Sequence, residues 1–201
     1  MKPWTGVRDA NTYADRCPGF GVFVQKIHTG SEDCLFLNVF APSVSKIYVY
    51  SNYLHFGVNN EQNCEQIDGG VKTGLPVLFW IHGGGFMDGY APEYPPDFIM
   101  DHDVILVSVD YRLGLLGFLN TEDGTVPANN GFKDMILALK WVQRNIAAFG
   151  GDPEKITLFG HSTGATAIQV FMLSPATKGS IAVRWNYSYT YAVTIFCGLN
   201  I

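Results

Sequence analysis

The chain reads FGGDPEKITLFGHSTGA over residues 149–165. Residues 156–159 are apolar or β-branched, and a short run of this kind predicts one buried strand. Residues 160–164 have the pattern G-x-S-x-G, and residues 163–173 continue with few helix breakers. The stretch therefore predicts a strand, a sharp turn and a helix, with Ser162 at the turn.

A serine at such a corner is a candidate nucleophile. Glycines on both sides of Ser162 avoid the clashes that side chains would make where a strand turns into a helix. Backbone N–H groups at the start of the helix face the position where negative charge develops during acyl transfer. The alternative is a glycine-rich turn with a solvated serine, since this pentapeptide can occur by chance. The position between a predicted strand and a predicted helix favours the nucleophile.

The composition is that of one globular domain. The 201 residues are 47% hydrophobic and 15% charged, which is enough to form a sizeable core. The net charge of -5 does not indicate nucleic-acid binding, and no apolar run is long enough for a membrane span. The first residues, MKPW, lack the apolar segment of a signal peptide. Four cysteines without zinc-ligand spacing indicate neither a metal site nor a disulfide-dense scaffold.

Other segments predict an α/β fold. Residues 35–40, 76–81 and 103–110 are predominantly apolar and predict buried strands. Residues 132–148 carry apolar side chains at helical spacing, and the sequence Gly-Gly-Asp-Pro that follows predicts the end of the helix. Continuous apolar strands that alternate with helices are typical of a parallel sheet covered on both faces.

Three blocks of sequence occur together in a recognisable order. Residues 31–39 read SEDCLFLNV, residues 80–86 read WIHGGGF, and residues 149–164 contain GHSTG after an FGG lead-in. In this order the blocks resemble the type-B carboxylesterase/lipase family, the cholinesterase-like branch of the α/β-hydrolases. The resemblance implies an α/β-hydrolase fold, present here as a partial, mostly parallel sheet with flanking helices.

The resemblance also implies a division of the chain. It covers roughly residues 1–43 and 72–179, so we expect residues 1–179 to form a partial α/β-hydrolase domain. This N-terminal-half fragment is expected to lack the C-terminal half of the fold. Residues 44–71 are expected to be an atypical insertion, which begins with a segment compatible with a strand and continues as an exposed loop rich in Asn and Gly. Residues 180–201 are expected to be an unrelated tail.

The activity that the resemblance implies is hydrolysis of a small-molecule carboxylic ester through a serine acyl-enzyme. Ser162 would be the nucleophile, and the N–H groups of Gly84, Gly85 and Thr163 would form the oxyanion hole. No cofactor, metal or nucleic acid is implied, and the sequence leaves the oligomeric state open. His161 and Thr163 depart from the family, which commonly has a polar residue such as Glu and then Ala at these positions. His161 is not expected to be the base, because neighbouring side chains in such a turn point apart.

Two structural pairs are also implied by the resemblance. Cys17 and Cys34 would form a disulfide, which suggests a secreted or secretory-pathway protein. The alternative for these cysteines is two free buried thiols. Glu32 and Arg112 would form a buried structural ion pair.

The family's triad runs in chain order from serine to acid to histidine. Residues 163–201 contain no Asp, no Glu and no His. We therefore expect the chain as written to lack the catalytic acid and histidine and to be inactive. The alternatives are a non-catalytic esterase-like adhesion or binding module and a nonfunctional truncated product. An intact Ser162 and an intact glycine block favour descent from an enzyme.

Overall fold

The computed structural model describes residues 12–21, 26–28, 30–42, 47–51, 72–178 and 195–197. Eight strands lie within these ranges: β1 Gly19–Gly21, β2 Lys26–His28, β3 Phe36–Phe40, β4 Ile47–Ser51, β5 Leu75–Ile81, β6 Ile105–Val109, β7 Gly151–Gly160 and β8 Ile195–Cys197. The α-helices are α1 Gly114–Phe118, α2 Asn130–Asn145 and α3 Thr163–Leu173. Short 3-10 helices span Ala91–Glu93, Ile146–Phe149 and Pro175–Thr177.

Six of the strands form one mixed sheet in the order β4-β3-β6-β5-β7-β8. The three central strands, β6, β5 and β7, are parallel to one another. β3 is antiparallel to β6, and the two outer strands are antiparallel to their neighbours. β1 and β2 form a separate two-stranded antiparallel sheet. The predicted α/β class, with a mostly parallel sheet and flanking helices, is confirmed.

Both faces of the sheet are covered, as the apolar strands predict. Alternate residues of β5 point to opposite faces, so Phe79 and Ile81 enter the main core whereas Trp80 enters a second cluster with Phe40 and Leu106. Helices α2 and α3 supply the main core with further buried side chains, among them Met135, Leu139, Val142, Ala167, Ile168 and Phe171. Helix α2 ends earlier than the apolar pattern predicts, because residues 146–149 tighten into a 3-10 turn before Gly150 at a φ of 84°.

Strand β7 begins five residues before the predicted run of 156–159. Gly151 pairs with Leu75, and the register shifts between Leu75 and Val77 before regular pairing resumes at Ile156. At the other end of the strands, Gly160 pairs with Ile81. Because β5 and β7 are parallel neighbours, the residues that follow each strand lie at the same edge of the sheet.

The predicted insertion and tail each contribute one described strand. β4 lies in the insertion and pairs with β3, while β8 lies in the tail and pairs with β7. Residues 52–71 and 179–194 lie outside the described residues, so the proposed boundaries at 44–71 and 180–201 stay predictions. Within the described ranges, no helix has both the length and the apolar character needed to cross a membrane.

Candidate active site

Ser162 occupies a strained turn between β7 and α3. Its φ of 53° and ψ of -118° are unfavourable for a residue with a side chain, and the residue is exposed. A Cβ on Gly160 would lie 2.6 Å from the backbone carbon of Gly164, and one on Gly164 would lie 2.1 Å from the carbonyl oxygen of Ile81. Close packing therefore requires glycine on both sides, and the turn presents Ser162 to solvent.

A glycine turn, residues 83–85, follows the end of β5. It lies beside the turn at Ser162, which is called the elbow below. Gly84 and Gly85 have φ values of 106° and 67°, in the left-handed region that favours glycine. The N–H groups of Met87 and Asp88 each donate to the carbonyl oxygen of Gly84 at 3.0 Å and close the turn. A Cβ on Gly83 would lie 3.1 Å from the Cβ of Ser162, so the turn packs directly against the elbow.

Three backbone N–H groups, those of Gly84, Gly85 and Thr163, lie at this edge of the sheet. Among the described residues, no turn or loop hydrogen bond has the N–H of Gly84, Gly85 or Thr163 as its donor. Thr163 is the first residue of α3, where the N–H has no partner within the helix. Gly85 is exposed, and a Cβ built on it would meet nothing within 4 Å. Such donors can stabilise an oxyanion that forms near Ser162.

His161 is turned toward an aromatic neighbour. Its Nδ1 lies 3.1 Å from the hydroxyl of Tyr94, and the ring of Tyr94 packs on Trp80 with centroids 4.8 Å apart. Burial, with a smaller effect of the nearby Glu93 carboxylate, raises the pKa of Tyr94, so its hydroxyl stays protonated at neutral pH. The structure thus gives Nδ1 of His161 a hydrogen-bond partner on the loop after β5.

A buried pair behind the glycine turn was not identified from the sequence. His82 stacks on Tyr111 with ring centroids 4.4 Å apart, and its Nδ1 lies 2.8 Å from the carbonyl oxygen of Gly83. A carbonyl only accepts, so Nδ1 carries the hydrogen. The Nε2 atom of His82 is 4.0 Å from Oδ1 of Asp110, which accepts a hydrogen bond from the N–H of Ala91 at 2.8 Å.

Burial shifts the pKa of each member of this pair toward its uncharged form. Burial lowers the pKa of His82 to about 4, although the hydrogen bond to Gly83 opposes the shift. Burial raises the pKa of Asp110 to about 7, although the bond from Ala91 opposes it. The sequence shows both residues only as parts of the HGGG and DYRLG segments, so their proximity was not visible in it.

This pair predicts opposite pH dependences for two single variants. The pKa of His82 lies below its ordinary 6.5, so its contribution to the free energy of unfolding rises from about pH 4 to 6.5. The pKa of Asp110 lies above its ordinary 3.8, so its contribution falls from about pH 4 to 7. Relative to the parent chain, the unfolding free energy of Asp110→Asn should therefore rise with pH from about pH 4 to 7. The unfolding free energy of His82→Gln, relative to the parent, should fall from about pH 4 to 6.5. Chemical denaturation at several pH values tests this, and two profiles parallel to that of the parent would contradict it.

The structure gives Arg112 a carboxylate partner that the sequence did not suggest. Arg112 binds the fully buried Asp134 with two hydrogen bonds of 2.7 Å, from Nε and Nη2, while Glu32 is exposed and its pair with Arg112 stays a prediction. Asp134 lies near the start of α2, where it also accepts the backbone N–H of Arg112 at 3.2 Å. A planar guanidinium matches a carboxylate in this fork geometry, and the packing of α2 decides which carboxylate it reaches.

Removal of the charge on Asp134 is expected to destabilise the fold. Asp134→Asn keeps the shape of the side chain but weakens two charge-assisted hydrogen bonds, which should lower the free energy of unfolding by about 2 kcal/mol. The matched control is Asp103→Asn, which breaks an ion pair with Lys72 in which both side chains are 60% exposed. Exposed pairs contribute little, so the control should stay close to the parent. Equal effects of the two variants in chemical denaturation would contradict the prediction.

The predicted disulfide is confirmed. Cys17 and Cys34 are bonded, with Cα atoms 4.9 Å apart, and both are buried. The alternative of two free thiols is therefore wrong. Across the ranges that the structure describes, no group of three or more His, Cys, Asp or Glu side chains is placed to hold a metal ion.

Comparison with known proteins gives these features a context. A sequence model of the Carboxylesterase family matches residues 1–184. The chain is 39% identical over 180 residues to Esterase FE4 of Myzus persicae, a match that covers 89% of this chain and 28% of that protein. It is also 39% identical to human Carboxylesterase 3, over 89% of this chain and 29% of that protein. The chain thus spans less than a third of the length of the curated relatives it matches.

Solved esterase structures match the fold over the same share of the chain. A thermophilic PNB esterase gives a TM-score of 0.67 at 35% identity, covering 87% of this chain and 33% of its own. Juvenile hormone esterase from Manduca sexta gives a TM-score of 0.65 at 33% identity, covering 87% of this chain and 29% of its own. These neighbours are α/β-hydrolase esterases, and the sheet described above is a part of that fold. With the family sequence matched over nine tenths of its length, the chain belongs to the type-B carboxylesterase family.

Proposed function

We propose that this chain carries the nucleophile and the oxyanion hole of a carboxylic ester hydrolase. The observation that supports the proposal is the exposed elbow at Ser162, adjacent to a glycine turn in which the N–H groups of Gly84 and Gly85 donate no backbone hydrogen bond within the described part of the chain. Family membership supplies the reaction class, and a small-molecule carboxylic ester is the proposed substrate. The Cys17–Cys34 disulfide supports a protein of the secretory pathway or the cell exterior.

The proposed reaction passes through an acyl-enzyme. The Oγ atom of Ser162 attacks the ester carbonyl carbon while a base removes its proton, and the carbonyl oxygen becomes an oxyanion. The N–H groups of Gly84, Gly85 and Thr163 stabilise that charge, and loss of one such donor typically raises the barrier by ~2.7–4 kcal/mol. The C–O bond to the alcohol then breaks, the alcohol leaves with a proton, and water hydrolyses the acyl group from Ser162.

The base and its acid are proposed to lie outside these 201 residues. The family order places them after the serine, and residues 163–201 contain no Asp, Glu or His. The two histidines nearest the elbow have other partners, since Nδ1 of His161 meets Tyr94 and Nδ1 of His82 donates to Gly83. In this chain Ser162 therefore keeps the weak nucleophilicity of an ordinary hydroxyl.

We expect negligible turnover of a simple aryl ester by the 201-residue chain. A related enzyme that has lost a triad member retains only about 10³–10⁴-fold acceleration over water. Release of the coloured phenol by the purified chain measures turnover, and Ser162→Ala is the matched control. Turnover well above that level, abolished in Ser162→Ala, would contradict the prediction and indicate a base within the chain.

The absence of Asp, Glu and His from residues 163–201 is compatible with a second candidate, a non-catalytic esterase-like adhesion or binding module. Sequencing of the full transcript across residues 43–72 and beyond 178 separates the candidates. A message that continues into a segment with an acid and a histidine would support the hydrolase. A message that ends after Ile201 would support the second candidate.

A further inference from the structure

The disulfide-closed segment holds the backbone of Arg16 in place. Arg16 directly precedes Cys17, and its carbonyl oxygen accepts the N–H of Ser31 at 2.9 Å, near the other end of the segment. Gly30 makes this approach possible, because its φ is 46° and a Cβ there would lie 2.3 Å from the same oxygen. The Cys17–Cys34 bond closes the segment from the other side. The side chain of Arg16 therefore extends from a backbone position that is held on both sides.

The side chain of Arg16 reaches the segment that follows the glycine turn. Its Nη2 donates to Oδ1 of Asp88 at 2.5 Å, and its guanidinium carbon lies 4.6 Å from the ring centroid of Tyr90. The side chains of Arg16 and Asp88 are only 20% and 22% exposed, so solvent screens this pair less than a surface ion pair. The N–H of Phe20 also donates to the carbonyl oxygen of Met87 at 2.6 Å.

Asp88 connects Arg16 to the glycine turn. Its N–H donates to the carbonyl oxygen of Gly84 at 3.0 Å, so the peptide of Asp88 limits how far that turn can open. Three consecutive glycines have large conformational freedom, and residues 83–85 need contacts from outside to keep one conformation. The chain of contacts runs from the disulfide through Arg16 and Asp88 to Gly84.

We propose that Arg16 is a positioning residue, which acts through Asp88 to hold the glycine turn in the conformation that aims the N–H groups of Gly84 and Gly85. Its catalytic meaning rests on the proposed function, because a preorganised oxyanion hole needs no reorganisation when charge develops. The positioning itself is a property of the turn and is measurable without any reaction.

Hydrogen exchange on the full 201-residue chain, followed amide by amide by NMR, tests this proposal. In Arg16→Gln the amides of Met87 and Asp88, which donate to Gly84, should exchange about tenfold faster than in the parent. Buried amides of α2, such as that of Leu139, report global stability and should not change. The matched control is Lys72→Gln, which breaks the exposed pair with Asp103 and should leave the turn amides unchanged.

Two further variants separate positioning from a general packing effect. Arg16→Lys keeps the charge toward Asp88 and should restore most of the protection, whereas Asp88→Asn should reproduce the effect of Arg16→Gln. The double variant Arg16→Gln with Asp88→Asn should exchange no faster than Arg16→Gln alone, because the Arg16–Asp88 contact is already lost in that single variant, together with the contacts of Arg16 to Tyr90 and Glu93.

Unchanged exchange at Met87 and Asp88 in Arg16→Gln would overturn the proposal. So would an increase that the α2 amides share equally, since that result indicates global destabilisation. Neither result depends on the reactivity of Ser162. Failure of this proposal therefore leaves the proposed hydrolase function intact, and a failure of that function leaves the exchange result interpretable.

Discussion

In a protein that joins this chain to the proposed histidine and acid, Ser162→Ala is expected to lower kcat for an aryl ester by about 10⁶-fold. Without the Oγ atom the proposed acyl-enzyme cannot form, and only the proposed oxyanion donors and substrate binding remain to accelerate attack by water. The hydroxyl of Ser162 is exposed at the turn, so its loss should leave the free energy of unfolding nearly unchanged. Steady-state kinetics and chemical denaturation of the same preparation measure both quantities.

The control for this experiment is the adjacent residue. Thr163 is proposed to act through its backbone N–H, so Thr163→Ala should retain kcat within a few-fold because that donor is kept. The comparison distinguishes the loss of a nucleophile from a loss of activity that any substitution in this turn would cause. If Ser162→Ala kept more than a small fraction of the parent activity, or if Thr163→Ala lost as much, the assignment of the nucleophile would be wrong.

Gly164→Ala is expected to lower the free energy of unfolding by more than about 3 kcal/mol. The new Cβ would lie 2.1 Å from the carbonyl oxygen of Ile81 and 2.8 Å from that of His82. These atoms belong to Ile81, the last residue of β5, and to His82 after it; both residues are buried, and Ile81 pairs with Gly160 of β7. Neither the strand nor the first turn of α3 can move without breaking the core. Chemical denaturation of the 201-residue chain measures the loss.

Gly124→Ala is the matched control for this prediction. Gly124 has a φ of 80°, but a Cβ there would meet nothing within 4 Å. The cost of this substitution comes from the backbone conformation alone, which is about 1 kcal/mol. Equal losses of unfolding free energy for Gly164→Ala and Gly124→Ala would show that the close approach of α3 to β5 does not require glycine at position 164.

The local sequence determined the parts of the site that are contiguous in the chain. Helix α3 runs from Thr163 to Leu173 as the lack of breakers predicted, and Ser162 lies at the corner that the glycine pattern predicted. The buried strands β5 and β6 also lie where apolar runs predicted them. These features follow from backbone sterics and from burial over a few residues, which the sequence displays directly.

Pairings between distant residues depended on the tertiary structure. Arg112 meets Asp134, a partner that the sequence did not suggest, because the packing of α2 brings a buried carboxylate to the guanidinium. Arg16, next to the disulfide-bonded Cys17, is 72 residues from Asp88 in the chain, and the two meet only in the folded structure. No periodicity or motif encodes such contacts, since each depends on how whole elements pack.

The sequence by itself determined the α/β class, the elbow at Ser162 and the glycine turn beside it. Only the tertiary structure decided that the ends of β5 and β7 adjoin, that His82 and Asp110 form a buried pair, and that the outer strands of the sheet run antiparallel to their neighbours. The physical reason is the distance along the chain over which each interaction acts. Steric and hydrophobic preferences act between neighbours in the chain, whereas desolvation, strand order and ion pairing are set by groups that only the folded core brings together.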